Sequence, residues 1–325
     1  MSSVTLGGLG APGASPRRVI IDTDPGIDDG QAILFALLCG RFEIDAVTSV
    51  FGNVRAELAA ANVLRLMDLA GRSNLPVYVG ATEPLVQRRL FFAPTVHGAN
   101  GFGSVQLPLP DRTPEAGYAA VELAQRAVEA PGKITLLCLG PLTNVALAMR
   151  LEPGFAGAVK EIIFMGGIVR GPGNVSAVAT ANILNDPEAA KVVLGAGIQL
   201  TMVGQDVTRW VRVSAARRER MRTAGSRIAE FIYQITGFYA DAYTSEGIPG
   251  FPVHDLLVMA YALRPGLFET QQLPVDVDIE SSLTRGMTVA DFRPQTDKPA
   301  NVRVCMKADA DGILDWYEQV IASAP

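Results

Sequence analysis

The sequence predicts an α/β fold: a largely parallel, doubly wound sheet with helices on both faces and a small antiparallel extension near the C-terminus. Three observations carry this. Short apolar runs alternate with amphipathic stretches six times between residues 18 and 204. The runs are nearly continuous in Val, Ile and Leu, as strands buried on both faces require. Gly and Pro punctuate the junctions, and no linker separates two apolar cores.

Residues 18–24 (RVIIDTD) read as the first strand, stopped by Pro25–Gly26. Asp28 and Asp29 open a helix that Gly40 closes. A strand over 44–50, a Gly52–Asn53 turn, a helix over 55–70 and a strand over 76–80 follow. The stretch 81–114 exceeds an ordinary connection, which marks it as functional or mobile. A helix over 115–129, a strand over 133–140, a helix over 141–149 and a strand over 161–167 come next, then a Gly-rich loop through Asn174. Asp186–Pro187–Glu188 reads as a helix cap with Pro at the first position; that helix leads to a strand over 198–204. Helical sequence covers 214–245, a Gly/Pro loop 247–252, and a further helix 254–263. Strands over 275–281, 287–291 and 301–308, read as the antiparallel extension, and a last amphipathic helix close the chain. Residues 1–17, rich in Gly, Ser and Pro, read as a disordered tail, and 18–325 as one domain.

Composition excludes several function classes. With 325 residues, 49% of them hydrophobic, a mainly disordered chain is ruled out. Lys and Arg number 28 against 33 Asp and Glu, so no basic surplus exists for nucleic-acid phosphates. No apolar run reaches the roughly 18 residues of a membrane span. The first residues lack a secretory apolar core, so the expected location is the cytoplasm. Cys39, Cys138 and Cys305 each sit in an apolar run and read as buried thiols, not a disulfide framework. Arg217, Arg218, Arg220 and Arg222 beside Glu219 read as a solvated helix face. Trp210 and Trp316 read as core anchors. Tyr239 and Tyr243, four apart on one helix face, either line a pocket or pack.

The informative segment is IIDTDPGIDDGQA, with Asp22, Asp24, Asp28 and Asp29 inside eight residues. Strand alternation puts Asp22 and Asp24 on one face. All four fall at the C-terminal edge of the first strand, where open α/β sheets hold ligands. A helix cap needs one acid or two, not four. Mutual repulsion is relieved by a cation, and an all-oxygen donor set selects a hard ion such as Ca²⁺ or Mg²⁺. An Asp-x-Asp after a strand has a rival reading, a phosphotransferase of the haloacid-dehalogenase type with Asp22 as nucleophile. That pattern wants Thr at position 26, where this chain has Gly.

DTDPGIDD over 22–29 resembles the signature of the inosine-uridine preferring nucleoside hydrolases. VFGNV (50–54), VHGANG (96–101), LGPLTNVA (139–146), FMGG (164–167), GNVSAVATAN (173–182), NDPEAA (185–190), HDLL (254–257) and TRGMTVAD (284–291) follow in the family's order. The resemblance implies the nucleoside hydrolase fold and cleavage of a nucleoside's N-glycosidic bond to ribose and free base. It implies Ca²⁺ held by Asp24, Asp29, Asp255 and the Thr143 carbonyl, with Asp24 as general base toward a water on the ion. Asn53 and Asp28 would frame that water and, with Asn182, the ribose hydroxyls. Asn174 would reach the 3′/5′ side, and His97 and His254 the leaving base. It further implies a homo-oligomer, dimer or tetramer, in purine or pyrimidine salvage. The two histidines are the only ones in the chain, and both fall in these segments.

Two positions depart from the family. Thr180–Ala181–Asn182 stands where the family reads Glu–aromatic–Asn, so the contact to the ribose 5′-hydroxyl changes. Either ordinary ribonucleosides turn over poorly, or the substrate carries an altered 5′ group. Glu246 stands near where relatives carry an aromatic or basic residue that handles the base; it could accept from a base N–H. A non-catalytic ribose- or nucleoside-binding protein on the same scaffold is the alternative from another class; an intact Asp24 argues against it.

Overall fold

The computed structural model describes residues 15–87, 91–245 and 247–324. The tail expected over 1–17 lies outside the described residues up to residue 14; Arg17 already belongs to the first strand. The chain begins with β1 (Arg17–Thr23), α1 (Ile27–Leu38), β2 (Phe42–Ser49), α2 (Ala56–Leu69) and β3 (Val77–Val79). A long connection holding the short α3 (Pro94–His97) leads to α4 (Ala119–Glu129), β4 (Thr135–Cys138), α5 (Thr143–Leu151), α6 (Phe155–Ala158) and β5 (Glu161–Met165). Then come α7 (Ala181–Asn185), α8 (Pro187–Leu194), β6 (Leu200–Val203), α9 (Gln205–Thr208) and β7 (Arg212–Val213). The helical stretch divides into α10 (Ala215–Thr223) and α11 (Arg227–Ser245), followed by β8 (Phe251–Pro252) and α12 (Leu256–Leu263). The chain closes with β9 (Phe268–Leu273), β10 (Val275–Val277), β11 (Thr288–Ala290), β12 (Val302–Ala308) and α13 (Ala310–Ala322).

Eight strands form one sheet in the order β3-β2-β1-β4-β5-β6-β12-β9. All neighbours are parallel except β12 and β9. Strand order reverses between β1 and β4, so the crevice at their carboxyl ends is a topological switch point. Val, Ile and Leu of the strands are buried against helices on both faces: α1, α2, α12 and α13 on one side, α4, α5 and α8 on the other. Among the described residues no helix is long and apolar enough to cross a membrane.

Four readings need correction. Residues 301–308 were expected in the antiparallel extension, yet β12 joins the parallel body beside β6; β10 and β11 form the small antiparallel pair. Arg217 is not on a solvated face: it bridges Asp311, Asp315 and Glu318 of α13, while Arg218 lies over the Tyr233 ring of α11, 3.9 Å from its centroid. Trp210 is no core anchor, being 71% exposed, whereas Trp316 is buried against Phe35. Cys39 is half-buried; Cys138 and Cys305 are buried as read.

Candidate active site

Asp24 follows the last residue of β1, between the turns after β2 and β4. Those turns are glycine where they meet it: a Cβ on Gly140 would stand 2.7 Å from Asp24 Oδ1, and one on Gly52 would overlap Oδ2. The Asn53 backbone N–H donates to Asp24 Oδ2 at 2.7 Å, and Oδ1 is buried without a partner. Asp28 and Asp29 occupy the first turn of α1, where the helix N-terminus favours anions. Asp29 accepts from Thr23 Oγ1 at 2.6 Å, from the Gly26 N–H at 3.1 Å and from Asn53 Nδ2 at 3.0 Å. Asp28 accepts from the Tyr239 hydroxyl at 3.2 Å through Oδ2, while its Oδ1 has no partner. Asp255 stands at the N-cap of α12, but its carboxylate makes no capping bond. It faces Asp28 and Asp29 instead: one oxygen from each of the three lies within 4.8 Å of the others.

Crowding shows in the acidities. Burial, then the charge of Asp29, pushes Asp24 well above the carboxylate range. Burial, then Asp29, Asp28 and Asp24, does the same to Asp255. Burial lifts Asp28 to about 6 against its hydrogen bonds. Asp29 rises through burial and the Asp28 charge. These carboxyls cannot all ionise at neutral pH unless a positive charge joins them. The Asp24 and Asp28 Oδ1 atoms are buried without a hydrogen-bond partner, no thiolate joins the group, and the nearby His97 Nδ1, 3.7 Å from Asp28 Oδ1, is taken by the Ile27 N–H; such an oxygen set fits a hard divalent ion.

Asp22 is set behind this group, 2% exposed and away from the cleft wall. Its Oδ1 accepts from Thr48 Oγ1 at 2.6 Å and Asn144 Nδ2 at 2.7 Å. Its Oδ2 is buried without a hydrogen-bond partner.

The two histidines meet the carboxylates on one cleft. His97 Nδ1 accepts the Ile27 N–H at 3.1 Å, and its ring stacks on Tyr239 with centroids 5.4 Å apart. Gly26 makes room, since a Cβ there would stand 2.6 Å from His97 Nδ1. His254 Nδ1 meets Thr208 Oγ1 at 2.7 Å, and its Nε2 meets the Tyr243 hydroxyl at 3.2 Å. Burial lowers His97 to about 4 and His254 to about 3, so both rings are neutral at physiological pH. With Nδ1 accepting, the His97 proton resides on Nε2.

Asp28, Asn53, His97, Asn174, Asn182, His254 and Asp255 all line this cleft, with Tyr239 and Tyr243. Asn182 Nδ2 donates to the Leu139 and Met165 carbonyls, which leaves its Oδ1 to accept. Asn174 Oδ1 accepts the Ala181 N–H at 3.1 Å, which leaves its Nδ2 to donate. Thr180, expected on the substrate side, is not in the cleft wall: it is 1% exposed and its hydroxyl accepts the Gly167 N–H at 2.8 Å. Ala181 lines the cleft in its place. The Thr143 hydroxyl donates to Asp186 Oδ2 at 2.8 Å, so its side chain turns from the acids. Glu246 lies outside the described residues. Thr208 was missed in the sequence, because a Thr 46 positions from its histidine carries no local signal.

Comparison with known proteins agrees with this geometry. Residues 19–315 match the family described as inosine-uridine preferring nucleoside hydrolase. An inosine-uridine preferring nucleoside hydrolase of Leishmania major is 40% identical over 94% of this chain and 98% of its own. The pyrimidine-specific ribonucleoside hydrolase RihA of Salmonella agona is 37% identical over 91% of this chain and 96% of its own. A plant nucleoside hydrolase structure superposes with a TM-score of 0.90 at 34% identity, covering 95% of this chain and 99% of that one. The purine-preferring ribonucleoside hydrolase from Gardnerella vaginalis gives 0.89 at 30% identity, covering 95% and 99%. The chain therefore belongs to the inosine-uridine preferring nucleoside hydrolase family and is a hydrolase of N-glycosidic bonds.

Proposed function

We propose that the chain hydrolyses a ribonucleoside to ribose and free base, with Asp24 as general base and Asp24, Asp29, Asp255 and the Thr143 carbonyl holding Ca²⁺. The observation that carries this is the buried, unpartnered Asp24 Oδ1 beside a carboxylate cluster that lacks a protein cation. A divalent ion there supplies charge that anchors the sugar diol and acidifies water.

The chain's own residues do the rest. Asn53 fixes Asp24 through its N–H and Asp29 through its side chain, so both acids hold one orientation. Asp24 Oδ1 is the atom free to take a proton from the attacking water, a role worth about 10²–10⁴ in rate. Asp28 Oδ1 and Asn182 Oδ1 are placed to accept from ribose hydroxyls, and Asn174 Nδ2 to donate. The carboxylates also stabilise positive charge that develops on the sugar as the bond breaks. His97 Nε2–H and the His254–Tyr243 pair face the departing base.

Relatives named for inosine and uridine, for pyrimidines and for purines all resemble this chain, so base choice is read from the site itself. At the 5′ end Ala181 and Asn174 leave neutral space, which supports a substrate with an altered 5′ group. Reducing-sugar release from inosine, uridine and their 5′-modified analogues tests both points. Wild-type release that Asp24→Ala abolishes is expected; release unchanged in that variant overturns the mechanism. Equal or better turnover of unmodified nucleosides ends the altered-5′ reading. The reading includes a homo-oligomer, which sedimentation of the purified chain checks, and a cytoplasmic location, which cell fractionation checks.

A further inference from the structure

His254 is held from behind by a single hydroxyl. β7 and β8 pair through Arg212 with Pro252 and Val213 with Phe251, and the Val253 N–H donates to the Val211 carbonyl at 3.3 Å. This short ladder sets His254 against Thr208, the last residue of α9 and 46 positions earlier in the chain. Thr208 Oγ1 and His254 Nδ1 meet at 2.7 Å, and Thr208 is fully buried. A helical Thr often returns its hydroxyl to the carbonyl one turn back. Thr236 of α11 does so, donating to the Ile232 carbonyl at 2.7 Å. Thr208 does not: the Gly204 carbonyl accepts the Thr208 backbone N–H at 3.1 Å, and among the described residues the hydroxyl has His254 as its one hydrogen-bond partner.

That contact decides which ring nitrogen carries the hydrogen. If Nδ1–H donated, the Thr208 hydroxyl hydrogen would be buried with nothing to receive it, which folded chains rarely tolerate. If the hydroxyl donates, Nδ1 accepts and the ring hydrogen stands on Nε2. Nε2 is the nitrogen on the cleft side: it meets the Tyr243 hydroxyl at 3.2 Å, and both residues line the cleft. His97 reaches the same tautomer by another route, its Nδ1 taken by the Ile27 N–H. A backbone amide can only donate, so His97 is fixed by the fold, whereas His254 depends on a side chain. We propose that Thr208 is a positioning residue whose hydroxyl keeps His254 in the Nε2–H tautomer, so that a hydrogen-bond donor faces the departing base. As the glycosidic bond breaks, its electron pair leaves with the base; the Nε2–H hydrogen-bonds the charge gathering there and stays on the ring. The other tautomer would present a lone pair in the same place. This rests on the nucleoside-hydrolase reading and adds a residue behind the cleft wall on which help to the leaving base depends.

The test compares the wild type with Thr208→Val, which keeps the shape and deletes the hydroxyl, and Thr208→Ser, which keeps the hydroxyl, all in calcium-containing buffer. The first readout is NMR of protein carrying isotope-labelled histidine. The chain has only two such rings, so the tautomer of each is assigned directly. Expected is Nε2–H on both in the wild type and in Thr208→Ser, with His254 alone moving toward Nδ1–H in Thr208→Val. Nδ1–H on His254 in the wild type overturns the proposal without any variant, and so does a His254 signal unchanged in Thr208→Val. The second readout is hydrolysis of inosine and uridine beside p-nitrophenyl riboside, whose phenolate leaves without a donor's help. In Thr208→Val, kcat on the nucleosides should fall by about tenfold to a hundredfold, a share of the roughly 10²–10⁴ that proton-donor assistance supplies, with KM and the p-nitrophenyl riboside reaction within about threefold of wild type. Thr208→Ser should restore most of the loss. Equal loss on nucleosides and p-nitrophenyl riboside marks general damage to the fold and overturns the proposal. If the wild type splits neither nucleoside, the hydrolase reading fails and this inference falls with it; if Thr208→Val splits them as fast as the wild type, only this inference falls.

Discussion

Between α10 and α13, Arg217 meets Asp311, Asp315 and Glu318 at 2.6–2.8 Å, and Arg220 adds a second bond to Glu318. At the carboxyl edge of the sheet, Asp24, Asp28, Asp29 and Asp255 face one another with no Lys or Arg among them. The first cluster satisfies its charges and fastens two helices. The second leaves them unsatisfied inside the fold, where desolvation makes repulsion expensive. A folded chain keeps such an arrangement when something it binds completes it, so unpaired buried charge points to chemistry and paired charge to architecture.

The sharpest way to break this contrast is Asp24→Asn. It removes the proposed base and one of the mutually repelling charges together. Activity is expected to fall by about 10²–10⁴, while the thermal midpoint of chelated protein holds or rises. A variant that unfolds, or that keeps full activity, would place Asp24 with the architectural charges.

The next effect is that of the ion. In chelated protein Asp28 sits near 6, Asp22 near 7, and Asp24, Asp29 and Asp255 are also raised. Carboxyls in the unfolded chain titrate near 3.9. The folded state therefore holds more protons between about 4 and 7, and these groups make stability fall as pH rises through that window. The two histidines act oppositely, since their folded values of about 4 and 3 lie below 6.5, but the raised carboxyls outnumber them. Calcium binds the ionised carboxylates, so the gap between loaded and chelated midpoints should widen from pH 5 to pH 8. At a hundredfold excess over Kd the gain is about 2.7 kcal/mol. Calorimetry with and without chelator measures it; a gap that is absent, or narrows with pH, removes the cation from the account.

How much of this was legible in the sequence follows the same division. The acids were legible because four in eight residues exceed what capping uses, and the buried strands because both faces demand Val, Ile and Leu. The edge strand β9 escaped because FETQQL has a polar, exposed middle and lacks that pattern. β12 was assigned to the wrong sheet because strand sequence does not state its neighbour; only the crossover through β9 to β11 decides it. The Arg217 bridge was read as a solvated face because its partners lie 94 to 101 positions away. Thr180 was placed by family position, while the structure turns its hydroxyl into the Gly167 turn.

Arg217→Ala tests the architectural side. Its side chain is 13% exposed, and Glu318 is 17% exposed, but Asp311 and Asp315 are mostly in solvent and screened. The loss should be about 1–2 kcal/mol of unfolding free energy, with kcat/KM within twofold of wild type, since none of these residues lines the cleft. A large activity loss at unchanged stability would erase the distinction between the two clusters.

The smallest effect belongs to Glu219 and Arg222, one turn apart on the same helix as Arg217. They are about half-exposed, and each lowers or raises the other's acidity through their shared hydrogen bond. Water competes for both groups, and holding two long side chains in register opposes the attraction. Glu219→Gln should therefore leave the urea midpoint unchanged within measurement scatter, at low salt and at high. If it instead destabilises the chain as much as Arg217→Ala does, pairing alone sets the worth of a charge here, and burial, on which the contrast between fastening and catalytic charges depends, does not.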